Sequence, residues 1–147
     1  MKEETWAALE SRFAKHPVTR AESVPYEEID QEFKPLGFPL PQDYREFVHR
    51  YGGASVGPFR IYGLRRAGIM GEREGTAMQV TLEFREQNWL GVEKWLVFSM
   101  DHSGNPVGFD NTGMIWISDH DAGGVEDMCP SFEDYLRQWC LKLDPVS

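Results

Sequence analysis

Between Trp95 and Ser118 three short apolar runs alternate with two clusters of turn-forming residues, and no other feature constrains the fold as tightly. The runs are residues 95–100 (WLVFSM), 105–109 (NPVGF) and 114–118 (MIWIS). Each is too short for a helix and rich in branched or aromatic side chains, the signature of strands. The separators, Ser103-Gly104-Asn105 and Asp110-Asn111-Thr112-Gly113, hold residues that tolerate positive φ or hydrogen-bond their own backbone. Tight turns between short strands predict an antiparallel β-meander.

The same stretch carries carboxylates and a histidine, so a metal or catalytic loop has to be weighed against it. A helix-loop-helix calcium site starting at Asp101 would need Gly at its sixth position and Glu at its twelfth. Those positions hold Pro106 and Thr112, and the flanks read as strands. Gly53-Ala54-Ser55-Val56-Gly57 matches G-x-S-x-G, but that elbow lies between a strand and a following helix. Here a helix precedes and a strand follows, so it reads as a glycine stop leading into a strand. Gly71 to Gly75 lacks the Lys-Ser/Thr of a phosphate loop. His16, His49, His102 and His120 show no metal-ligand spacing. Asp119-His120-Asp121 could hold a divalent ion or tune a histidine, yet its place between a strand and Ala122-Gly123-Gly124 reads as an exposed loop. No metal, cofactor or catalytic residue is expected, and the protein is read as a non-enzyme.

Helical signals fill the rest of the chain. Trp6, Leu9 and Phe13 predict a helix over 3–15, ended by His16-Pro17. Pro25 and Glu27-Glu28 open a second, with Tyr26, Ile29 and Phe33 on one face and Pro35 and Gly37 beyond it. In LPQDYREFVHRYGG, Pro41 and Asp43 suit a first turn and Gly52-Gly53 supplies the stop. Tyr44, Phe47, Val48 and Tyr51 there share one face. Residues 58–66 (PFRIYGLRR) predict an edge strand. Residues 76–89 fit a helix through Met78, Leu82, Arg85 and Trp89, or a strand through Val80, Leu82 and Phe84; the Glu-Phe-Arg-Glu-Gln run favours the helix. Ser131 and Asp134 make a capping-box-like start to a last helix. Its stripe is Phe132, Tyr135, Leu136, Trp139, Cys140 and Leu143.

At 147 residues with 41% hydrophobic side chains, residues 1–147 read as one α+β domain with a packed core. No apolar run reaches the ~18 residues of a membrane span, and MKEETWAALE is unlike a secretory signal. Cys129 and Cys140 are too few for a disulfide framework, so a cytoplasmic location is expected. The net charge of −9 argues against direct nucleic-acid binding and suits a basic protein partner.

Leu40-Pro41-x-Asp43-Tyr44-x-x-Phe47 followed by Tyr51-Gly52-Gly53 resembles the N-terminal signature of the SUKH superfamily. Gly104-Asn105, Asp110 and Gly113, Asp119-His120-Asp121 and Ser131-Phe132-Glu133-x-Tyr135-Leu136 follow in that family's order. The resemblance spans about residues 25–143. It implies an antiparallel sheet with helices packed against it, and no catalytic residues to carry over. It also implies that small bacterial members are immunity proteins, which bind and neutralise toxins, nucleases and deaminases among them. The alternative is a regulatory adaptor or scaffold domain recruiting a cellular protein. For either role the expected contact residues are Trp89 and Trp116 as aromatic anchors and Asp119, Asp121, Glu126 and Asp127 as a charged rim. Residues 67–95 match no motif of the family.

Overall fold

The meander predicted from the turn chemistry is present, and it is one strand longer than expected. The structure is a computed structural model that describes residues 1–71 and 74–147. Glu72 and Arg73, within the Gly71–Gly75 run, lie outside the described residues. The elements run α1 (Glu3–Lys15), α2 (Tyr26–Glu32), α3 (Gln42–Tyr51), β1 (Ala54–Val56), β2 (Phe59–Ile61) and α4 (Ala77–Glu86). β3 (Leu96–Met100), β4 (Pro106–Phe109), β5 (Ile115–Asp119), β6 (Gly124–Cys129) and α5 (Phe132–Tyr135) complete them. The class is α+β, and no helix among the described residues is long and apolar enough to cross a membrane.

β3, β4, β5 and β6 pair antiparallel in sequence order. The turn residues act as their chemistry demands. Asp101 Oδ1 accepts from the backbone N–H groups of Ser103 and Asn105, both at 2.9 Å, and Oδ2 accepts from Asn105 Nδ2 at 2.9 Å. That carboxylate closes a hairpin, as the turn reading requires and a calcium loop does not. Gly104 and Gly113 adopt φ of +81° and +88°, a region that favours glycine.

One face of the sheet receives α3 and α5. Leu96, Phe109, Ile115 and Cys129 pair across the four strands and are all buried. Against that face α3 lays Tyr44, Phe47, Val48 and Tyr51, the predicted stripe, every one fully buried. Tyr44 stands at the centre of an aromatic cluster with Phe98, Phe109 and Phe132. β1 and β2 form a small hairpin that closes the β3 edge, with Tyr62 N donating to Phe98 O at 2.7 Å.

Several expectations need correcting. The strand expected over 58–66 is three residues long, Phe59–Ile61, and pairs with β1 through a two-residue turn at Gly57, whose φ is +61°. Ser55 of the G-x-S-x-G match lies buried inside β1, not on an elbow. The helical reading of 76–89 holds, with a full capping box at Thr76 and Gln79. Its buried face, however, is Ala77, Met78, Val80 and Thr81, while Leu82 is exposed. The last helix keeps its Ser131 cap but is α-helical only to Tyr135. It continues as a π turn over Leu136–Cys140, with Leu141 N donating to Leu136 O.

Cys140 is buried on that stripe, and Cys129 is buried at the end of β6; both are free thiols. Burial pushes each up to about 12. The thiolate is the reacting species, so an aromatic disulfide reagent at mildly alkaline pH should label both only as fast as the chain unfolds. Labelling of the native protein at the rate of a free peptide thiol would contradict this burial.

Candidate binding face

The second face of the sheet is only partly covered, and that incompleteness makes the candidate site. α4 has ten residues, about 15 Å of helix, and lies along β3. Val97 N donates to Thr81 Oγ1 at 2.8 Å, and Arg85 donates to the carbonyls of Val92 (3.1 Å) and Trp95 (2.9 Å). Beyond β3 the cover ends. The row Val97–Gly108–Trp116–Asp127 crosses all four strands on this side and passes from buried, through the half-buried Trp116, to exposed. The next pair, Ser118 and Val125, repeats the gradient, with Val125 37% exposed.

The loop after α4 folds over this face and splits it. Gly91 (φ +85°) presses close enough that an added Cβ would meet the Trp95 ring at 2.8 Å and Val125 Cγ2 at 3.1 Å. On one side lies a hollow of about 250 Å³ lined by Trp89, Leu90, Ser118, Asp119 and His120. On the other lies one of about 290 Å³ lined by Glu93, Lys94, Trp95, Asp110, Trp116 and Val125. Both fall at or below the small end of ligand pockets, about 300–1,000 Å³. They suit single side chains of a partner better than a small molecule.

Each tryptophan is held in place. Trp89 packs edge-on against Phe84 and His120, both at 5.4 Å, and donates to Gln87 Oε1. Trp116 Nε1 donates to Asp110 Oδ2 at 2.9 Å, and the other Asp110 oxygen accepts from Thr112 N and Thr112 Oγ1. Burial alone would raise the Asp110 pKa, but the hydrogen bonds from Thr112 and Trp116 outweigh it and hold the carboxyl below its ordinary 3.8. A lowered carboxyl pKa stabilises the fold above the unfolded value, and the gain is lost as pH falls through the folded value. The Trp116 indole N–H resonance should therefore titrate with a midpoint below 3.8. A midpoint at or above it would contradict the Asp110 contact.

Of the six residues expected from sequence, Trp89, Trp116 and Asp119 line the two hollows, and Asp127 sits across from Trp116. Asp121 stands at the tip of the β5–β6 hairpin, 3.3 Å from His120 Nε2. Glu126 pairs with Ile117 and, one residue from Asp127, projects from the opposite face. Glu126 and Asp127 also belong to an edge strand, not to a loop. Sequence reasoning missed Leu90, 60% exposed, as well as Val125 and Asp110. The Trp-Leu-Gly run at 89–91 was the available signal for Leu90.

Asp119, His120 and Asp121 bring their ligand atoms within 4.8 Å of one another. Much of that grouping is hairpin closure. Asp119 Oδ1 accepts from the N–H groups of Asp121 and Ala122, and His120 Nδ1 lies 2.5 Å from Asn105 Oδ1. Asn105 Nδ2 is committed to Asp101, so its oxygen faces the ring and Nδ1 donates the proton.

A larger hollow of about 810 Å³, near Arg20, Arg65 and Arg66, lies elsewhere. Its arginines already serve the fold: Arg65 pairs with Glu28, Arg20 donates to the carbonyls of Ala21 and Arg50, and Arg66 donates to Gly71 O.

Among known families, the family model of the SMI1 / KNR4 family (SUKH-1) matches residues 25–138, well over half of the chain. No curated protein matches it.

Proposed function

This chain belongs to the SMI1 / KNR4 family (SUKH-1), and from that premise we propose that it is an immunity protein, neutralising a toxin domain by binding it directly. The observation that carries this reading is the uncovered sheet face, where Trp89, Leu90, Trp116 and Val125 lie among Asp110, Asp119 and Asp127. Aromatic side chains in rigid surroundings concentrate binding energy when they meet a partner's pocket or knob. Carboxylates around them repel phosphate backbones and attract a basic protein surface, chiefly by speeding association. The site asks for no bond-making group. Its hollows receive side chains, and occlusion of the toxin's own active surface supplies the inhibition.

Co-expression with a toxic domain encoded beside this chain, where one is found, should restore growth that the toxin alone arrests. Purified, the two should associate more slowly as salt is raised, because exposed charges are screened over about 8–10 Å at physiological salt. Absence of rescue with any neighbouring toxic domain would refute the proposal.

A further inference from the structure

We infer that the free edge of β6 is a docking site for an extended, lysine- or arginine-bearing strand of the partner, which joins the sheet as a fifth strand. The toxin would be that partner if the reading above is right, but the edge and its charge stand without it.

β6 is the outermost strand of the order β3-β4-β5-β6, and the opposite edge is already closed. There Tyr62 N donates to Phe98 O, and Ser99 Oγ donates to Arg60 O at 2.6 Å. At an outer strand, alternate residues turn their N–H and C=O groups away from the sheet. Among the described residues, no hydrogen bond outside the ladder with β5 reaches the backbone of residues 124–128. Proteins commonly blunt such an edge with proline, lysine or a very short strand. β6 has none of these three, and its one irregularity, a bulge at Met128, lies beyond the regular pairing of Gly124 to Asp127. It is six residues long, the longest strand described, and contains neither proline nor lysine.

Its protection is conditional. Val125, Glu126 and Asp127 are exposed, and the two carboxylates project to opposite faces. A strand laid alongside therefore meets a negative charge on either face. Opposite charges across strands stabilise pairing and like charges oppose it. A second copy of this chain, with its own Glu126 and Asp127 and a net charge of −9, is disfavoured at this edge. A basic strand is favoured. Its side chains on the Trp116 face would continue the row that Asp127 now ends, next to the hollow lined by Trp116 and Val125.

The test uses the full chain and a peptide of alternating lysine and valine matched in length to β6. Two controls accompany it, one with alternate amides N-methylated and one with glutamate in place of lysine. Amide exchange of residues 124–128 and the dissociation constant are read for each. The lysine peptide should protect those of these amides that point away from β5. N-methylation should weaken binding about tenfold or more, because several ladder bonds are lost, and the glutamate peptide should not protect them. The surface variant Glu126→Lys/Asp127→Lys should reverse the preference between the lysine and glutamate peptides.

Equal binding of the N-methylated peptide, or no protection of β6, overturns strand addition. Protection that grows with the chain's own concentration, without peptide, makes the occupant a second copy and likewise overturns it. Growth rescue without β6 protection refutes this mode and leaves inhibition standing. Protection without rescue upholds the edge and counts against the toxin.

Discussion

Replacing Tyr44 with alanine is expected to remove about 3–5 kcal/mol of stability, enough to unfold much of the population of a domain holding about 5–15 kcal/mol. Tyr44 is fully buried and touches the rings of Phe109 at 5.1 Å and Phe132 at 5.2 Å, with Phe33 and Phe98 at about 6 Å. It ties α2, α3, the meander and α5 into one core, so a cavity there cannot collapse without moving several elements. Its hydroxyl donates to Tyr62 O at 2.7 Å. Tyr44→Phe keeps the ring and strands that carbonyl, at a cost of about 1–3 kcal/mol. Urea denaturation of both variants separates the two contributions. A Tyr44→Ala loss below that of Tyr44→Phe would mean that the aromatic cluster does not organise the fold.

For the binding face the largest effect is expected from Leu90→Arg. Leu90 is 60% exposed and lines one hollow beside the Gly91 turn, so the substitution leaves the core untouched. In a complex it would place a long cation where an apolar side chain is covered, and like charge would face the basic partner proposed above. Loss of a central contact costs about 2 kcal/mol or more, and an unpaired buried charge adds to that. Affinity should fall by about two orders of magnitude or more. Val18→Arg is the matched control: Val18 is equally exposed, at 61%, but lies in the short 3₁₀ turn Pro17–Thr19. Its affinity should not change.

The parts of the fold that announced themselves are those whose local chemistry and burial agree. α1 and α3 follow apolar periodicity into the core, and the meander follows Asp101, Gly104, Asp110 and Gly113 into its turns. β6 left no signal because an edge strand exposed on both faces need not alternate apolar with polar residues, and Gly124 to Asp127 does not. β1 was hidden by small residues next to a glycine pair. In α4 the phase was misread because Thr81, a polar residue, is buried. Its hydroxyl donates to Ala77 O and accepts from Val97 N, so no polar group is stranded, and Leu82 turns outward.

The candidate site was legible to the extent that its chemistry lies in single residues. Tryptophan and aspartate could be picked out along the chain. That Trp116 and Asp127 share one side of the sheet follows from strand register, as does the separation of Glu126 from them, whereas Trp89, in the loop after α4, and Asp119, the last residue of β5, meet at a hollow that register alone does not give. Leu90 gains its place from a loop folded over Trp95 and Val125, a tertiary contact that no local pattern encodes.

The most direct measurement takes any toxic domain found encoded beside this chain and compares growth of cells making it together with the wild-type chain, Leu90→Arg or Val18→Arg, each at equal folded level. Rescue by wild type and Val18→Arg but not by Leu90→Arg is the predicted result. Full rescue by Leu90→Arg would contradict the proposal that the uncovered sheet face is what disarms a toxin.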